Sequence, residues 1–252
     1  MTAMNELIAV SSVLIAGSAS AITYGAVYPR SQLFGATLCR TNSPRKLAIT
    51  FDDGPNPTLT PKLLDLLGKH NARATFFLIG KYVRECPDLV RETVARGHLI
   101  GNHTETHPNL FWLSPVAIRA ELQQCHEAIG AVLGTAPKWF RPHFVFLKPW
   151  VVKSATELSM RTVMWTLLPG DWKPQPAEKL IGKLQPIAIN AEQNLSNPQA
   201  TGDVLCLHDG GHRMQNADRT NTIKALEYWL QRWRDAGLEF VTIEEAVRTP
   251  AA

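Results

Sequence analysis

The chain has 252 residues, an apolar fraction of 45% and a formal net charge of +4. That length suits one domain of barrel or open α/β size with a sizeable core, and the scattered Arg and Lys residues exclude a nucleic-acid footprint. None of the cysteines (Cys39, Cys86, Cys125, Cys206) stands in a Cys-x-x-Cys pair, which argues against a zinc knuckle or a thioredoxin-type motif.

Residues 1–28 read as a hydrophobic anchor or signal segment, because 7–27 are mostly apolar and uncharged over nearly the length of a membrane span. Ala19-Ser20-Ala21 resembles a signal-peptidase site. The basic residues that follow (Arg30, Arg40, Arg45, Lys46) instead favour a cytoplasmic globular part by the positive-inside rule. The expectation is a membrane-anchored or extracytoplasmic protein whose orientation stays open. Residues 29–45 read as a linker and 46–250 as one folded domain.

Within that domain strands and helices alternate. Strands are expected at 47–51, 74–79, 98–101, 138–141, 161–166, 204–207 and 238–241. Helices are expected at about 60–70, 87–96, 114–133, 149–158, 177–193 and 218–236. Pro61, Pro87, Pro115 and Pro149 mark helix starts, with Thr60 as the first N-cap, and Thr242-Ile243-Glu244-Glu245 is a capping box. Seven strands separated by helices argue for a mainly parallel α/β fold, a barrel closed or nearly so, with chemistry where strands end. Cys206 reads as a buried free thiol in a strand; the other cysteines are left open to pair or stay reduced. Trp229 and Trp233, and the pair Phe111-Trp112, read as core. His70, His98, His126 and His212 read as structural or surface residues.

The chain is organised around Thr50-Phe51-Asp52-Asp53-Gly54-Pro55. Gly54 and Pro55 cannot continue a strand, so two adjacent carboxylates stand at its carboxyl end. They repel unless a cation lies beside them; a divalent metal can take one as ligand and leave the other as a base. His103 and His107 follow the third strand, spaced to meet on one face of a helical turn and join Asp53 in a His₂-carboxylate set. His208 follows the sixth strand, with a side chain suited to proton donation near neutrality. Arg141 stands where it can hold a carboxylate bidentately, and Asp171-Trp172 where Asp171 can raise the pKa of a neighbouring His.

In order, Thr-Phe-Asp-Asp-Gly-Pro (50–55), His-Thr-Glu-Thr-His (103–107), Arg-Pro-His-Phe (141–144), Asp-Trp (171–172) and Leu-Cys-Leu-His (205–208) resemble the motifs of the polysaccharide deacetylase family, carbohydrate esterase family four. The resemblance spans residues 45 to 245 and implies the NodB-homology fold, a distorted (β/α)7-type barrel. It implies metal-assisted removal of acetyl groups from a glycan carrying N-acetylated sugars, with zinc or another divalent metal on Asp53, His103 and His107. By the same resemblance Asp52 is the base, His208 the acid, and Arg141 and Asp171 their partners. A backbone N–H near Phe144 stabilises the oxyanion, and Trp172 and Leu205 wall the acetyl pocket. The chain departs from the family pattern at His143, at Val145 and at Leu168, where many members carry another Asp. His143 and Val145 motivate a second reading, a glycan-binding homologue with weakened or lost catalysis. A third is an amidase for a non-glycan substrate. The glycan, the metal and the oligomeric state are not legible in the sequence.

Overall fold

The computed structural model describes residues 23–25, 28–143 and 147–248. The expected anchor therefore lies outside the described residues except at 23–25 and 28. Among the described residues no helix is long and apolar enough to cross a membrane. Phe144 and Val145 also lie outside them.

The strands are β1 (Thr37–Leu38), β2 (Lys46–Gly54), β3 (Ala74–Leu78), β4 (Leu99–Asn102), β5 (Trp139–Phe140), β6 (Arg161–Val163), β7 (Val204–His208) and β8 (Glu239–Phe240). They form one sheet in the order β1-β6-β5-β4-β3-β2-β7, and β8 pairs with the start of β2. Every strand pairing is parallel. The sheet curls back on itself: beyond β6, Leu167 bridges to Leu205, and the Cys206 N–H donates to the Leu167 carbonyl at 3.0 Å. This is the distorted parallel barrel expected from the sequence, with one addition. β1 lies in the stretch read as linker and pairs with β6; two residues are too short to leave a period-two signal.

The helices are α1 (Thr60–Lys69), α2 (Gly80–Glu85), α3 (Pro87–Ala95), α4 (Pro115–Leu133), α5 (Pro149–Glu157), α6 (Ala177–Asn194), α7 (Thr220–Asp235) and α8 (Ile243–Val247). The expected Pro starts hold for α3, α4 and α5, and α8 carries the capping box. The cap of α1 is Leu59, not Thr60, whose hydroxyl donates to the Asp209 carboxylate instead. The short α2 was not anticipated.

Alternation along β2 divides the core. Leu47, Ile49 and Phe51 pack with Leu64 of α1, Leu184 of α6 and Trp233 of α7. Ala48 faces the other way, into a cluster with Phe77, Phe140, Val163, Cys206 and Ile243. Trp229 and Trp233 stack at 5.5 Å and are buried, as expected. Trp112 is not core: it is 77% exposed, because the short 3₁₀ turn Leu110–Trp112 sends Leu110 inward. All four cysteines are free thiols.

Candidate metal centre and active site

Neighbouring residues of a strand point to opposite faces, so Asp52 and Asp53 should diverge. They do not, because β2 slips register against β3 between Asp52 and Gly54 and Asp53 takes a left-handed φ of 71°. The bulge turns both carboxylates into one site. It is packed from behind: a Cβ on Gly210 would stand 2.2 Å from the Asp53 carbonyl oxygen, so the loop after β7 approaches only because residue 210 lacks one.

The imidazoles at 103 and 107 converge by strain, not by helix. Thr104 and His107 have φ of 70° and 59°, conformations that cost on the order of 1–3 kcal/mol each. The segment is held by its neighbours. Asn102 Oδ1 accepts from Thr104 N at 2.9 Å. Glu121 of α4 accepts from the backbone N–H groups of Glu105 and Thr106 and from the Thr106 hydroxyl, at 2.8–3.1 Å.

Asp53 Oδ1 is the focus. It lies 3.5 Å from His103 Nε2 and 3.2 Å from His107 Nε2, is buried, and accepts no hydrogen bond among the described residues. Burial raises the Asp53 pKa, but His103, His208 and His107 outweigh it and hold the carboxyl below the usual range. His103 Nδ1 lies 2.8 Å from the Arg141 carbonyl, which can only accept, so Nδ1 is the donor there and Nε2 is the nitrogen turned to Asp53. Burial, then the neighbouring His103, pushes the His107 pKa down to about 3. Two imidazole nitrogens and a carboxylate oxygen facing one another are a donor set that suits a divalent cation. Donors about 2.0–2.1 Å from a tetrahedral zinc stand about 3.4 Å apart, and the two separations from Asp53 Oδ1 to the imidazole nitrogens are close to that.

Asp52 keeps different company. Its Oδ1 accepts from Arg141 Nη1 at 2.9 Å, and its Oδ2 from the Cys206 thiol at 3.3 Å. Arg141 is fully buried. It reaches Asp52 through one nitrogen rather than bidentately. Nη1 also meets Thr50 Oγ1 at 2.5 Å, Nη2 meets the Met164 carbonyl at 3.3 Å, and the guanidinium sits 4.2 Å over the Phe77 ring. Burial raises the Asp52 pKa, but Arg141, His103 and His208 more than offset it, so Asp52 is ionised.

Register places His208 of β7 opposite Asp52 of β2. Asp171 clamps it: Oδ1 lies 2.9 Å from His208 Nδ1 and Oδ2 accepts from the His208 N–H at 2.8 Å. The Thr222 hydroxyl donates to Oδ2 as well. Burial lowers the His208 pKa, but Asp171, with Asp53 and Asp52, raises it to about 9.

These groups open into a cavity of about 480 Å³, lined among others by Trp165, Leu168 and Trp172. The structure thus brings Asp52, Asp53, His103, His107, His208 and Trp172 to one cavity, with Arg141 and Asp171 behind them. Leu205 is a correction. It is fully buried in the outer core, and Cys206 lines the cavity instead. The cause is strand parity: His208 and Cys206 share a face and Leu205 takes the other. His212 is a second correction, for it stands at the cavity wall stacked on His107 at 4.5 Å. The His four residues after His208, beyond Asp-Gly-Gly, was the sequence signal. His143 stacks on the opposite face of His107 at 3.9 Å, with its Nε2 on the Pro108 carbonyl.

The family profile described as polysaccharide deacetylase matches residues 40–163. A peptidoglycan-N-acetylglucosamine deacetylase of Bacillus cereus is 35% identical over 209 residues, which is 82% of this chain and 90% of that one. The chain belongs to the polysaccharide deacetylase family. Another relative of this family member is a chitooligosaccharide deacetylase of Bradyrhizobium sp., 33% identical over 77% of this chain and 87% of its own. Among solved structures, a peptidoglycan N-acetylglucosamine deacetylase in complex with 4-naphthalen-1-yl-N-oxidanyl-benzamide matches with a TM-score of 0.71 and 32% identity, covering 85% of this chain and 94% of that one.

Proposed function

We propose that this polysaccharide deacetylase removes N-acetyl groups from a GlcNAc-containing glycan, peptidoglycan or a chito-oligosaccharide, using a divalent metal held by Asp53, His103 and His107. The observation that carries the metal reading is the buried Asp53 Oδ1, without a hydrogen bond, facing two imidazole nitrogens at 3.2 and 3.5 Å. Two nitrogens and one carboxylate favour zinc among the divalent ions. When bound, such an ion polarises a carbonyl and lowers the pKa of water.

The side chains do the rest. Asp52, ionised and fixed by Arg141, takes a proton from the attacking water. His208, protonated at neutral pH with its pKa near 9, gives a proton to the departing sugar amine. Asp171 orients that imidazole and keeps it charged. Trp172, whose ring lies 5.0 Å from His208, and Cys206 bound the space for the acetyl group. The cell-envelope glycans named for the relatives support an extracytoplasmic site of action, with the apolar segment 7–27 as the means of reaching it.

The test is acetate release from N-acetylated chito-oligosaccharides and from purified peptidoglycan by zinc- or cobalt-loaded protein. Release from either supports the reading; no acetate from any glycan by a folded, metal-loaded sample defeats it.

A further inference from the structure

Helices α4 and α5 open alike. Each has Pro at its first position (Pro115, Pro149), a large apolar side chain next (Val116, Trp150) and a base three residues further on (Arg119, Lys153). The two helices are neighbours, since Glu157 of α5 pairs with Arg119 as well as with Lys153. Trp112, on the 3₁₀ turn before α4, and Val116 are the most exposed large apolar side chains among the described residues, at 77% and 79%. Trp150 and Leu33 are exposed too.

Contacts join these residues. Lys148 Nζ donates to the Phe111 carbonyl and lies 4.5 Å from the Phe111 ring and 5.7 Å from the Trp150 ring. Phe111 in turn meets Trp112 edge-on at 4.7 Å. Phe34, the neighbour of Leu33, lines a shallow groove with Pro149 and Val152 of α5. Arg119, Lys148 and Lys153 outnumber Glu157, the acid that pairs with two of them. Exposed apolar side chains gathered in this way mark an interaction surface. Tryptophan flanked by Lys and Arg is the composition of a membrane–water interface, where the bases keep their charge among the headgroups. The chain itself points to that occupant. Residues 7–27 are its long apolar, uncharged stretch. The end of that stretch lies on this face, because a Cβ on Gly25 would stand 2.6 Å from Leu33 Cδ2 and 3.1 Å from Phe34 Cε2.

We propose that Leu33, Trp112, Val116 and Trp150, with the bases beside them, form a face that rests in the headgroup region of an anionic bilayer. The proposal rests on the reading of 7–27 as the segment that takes the protein to the membrane, and adds to it the surface of the folded domain that meets lipid. Trp112 follows His107 in the loop after β4, so the face adjoins the segment that carries the proposed metal ligands. The consequence is a cavity held near the membrane surface, where it meets glycan close to the bilayer.

The experiment places the full-length protein in vesicles of phosphatidylethanolamine and phosphatidylglycerol, part of the lipid carrying a doxyl quencher near the headgroup. Flotation shows whether the protein is on the vesicles, and tryptophan emission shows what touches lipid. Residues 1–28 hold no Trp, so any quenching reports on the domain. The result expected is that lipid quenches the wild-type emission and that the quenched fraction falls about twofold or more in the double variant W112S/W150S. The melting curve of that variant and its acetate release from soluble chito-oligosaccharide should match wild type. Flotation without quenching, or quenching equal in the variant, overturns the proposal and leaves the membrane segment standing. Failure to float defeats both. A raised KM for soluble chito-oligosaccharide in the variant would make the face a glycan platform, and a changed oligomeric state would make it a contact between copies; either overturns the proposal. Quenching is read without reference to deacetylation, so the proposed activity stands or falls separately.

Discussion

Asp52 and Asp53 are chain neighbours with different surroundings, which support the different roles proposed for them. Asp53 Oδ1 faces nitrogens and no hydrogen-bond donor, whereas both oxygens of Asp52 are occupied, by Arg141 and by the Cys206 thiol. Replacing Asp52 with Asn keeps the shape and removes the base, so kcat should fall by about 10²–10⁴ with zinc affinity little changed; equal loss of both would mean that Asp52 is a ligand. Arg141→Met leaves a carboxylate buried without its cation. In metal-free protein this should cost about 3–5 kcal/mol in denaturant unfolding. Asp171→Asn addresses the acid. As the proposed acid, His208 would act while protonated, and Asp171 raises its pKa to about 9. Without that charge the pKa falls, so the alkaline limb of the kcat–pH profile should move to lower pH. A limb that does not move would exclude His208 as the group that sets it.

At the scale of elements, the site is made by irregularities at strand ends. The β2 bulge and the left-handed residues of the β4 loop supply the convergence that regular strands deny. Glu121 of α4 holds that loop by its backbone, so Glu121→Ala should weaken zinc binding about 10- to 100-fold, by chelator competition, while α4 stays helical. This is also where the sequence was least informative. The strands, the Pro-led helices and the residue types of the centre were legible from period and punctuation. The bulge was not, because no residue type announces a left-handed Asp. A helical turn for His103 and His107 was the natural inference from their spacing, and backbone strain replaced it. Leu205 was a matter of parity: counting back by twos from His208 reaches Cys206, which the cavity confirms. His212 was read as structural or surface because its spacing from His208 does not by itself show that two glycines pack against Asp53 and Ala217 and bring it to the cavity wall.

At the scale of the molecule, the curl of the sheet sets what meets what. Leu167 bridging to Leu205 brings the chain beyond β6 beside β7, and so carries Asp171 and Trp172 to His208. The proposed base, acid and metal ligands therefore come from β2, the β4 loop and β7, and no fragment lacking one of these would retain the proposed centre. The claim beneath the whole account is that Asp53, His103 and His107 share one ion on which deacetylation depends. The most direct measurement pairs bound zinc with acetate released from N-acetylated glycan, before and after chelation, for wild type and Asp53→Ala. The account predicts one zinc per chain, loss of metal and activity together on chelation, recovery of both on adding zinc, and neither in the variant. Undiminished acetate release from metal-free protein, or full zinc occupancy in Asp53→Ala, would contradict it.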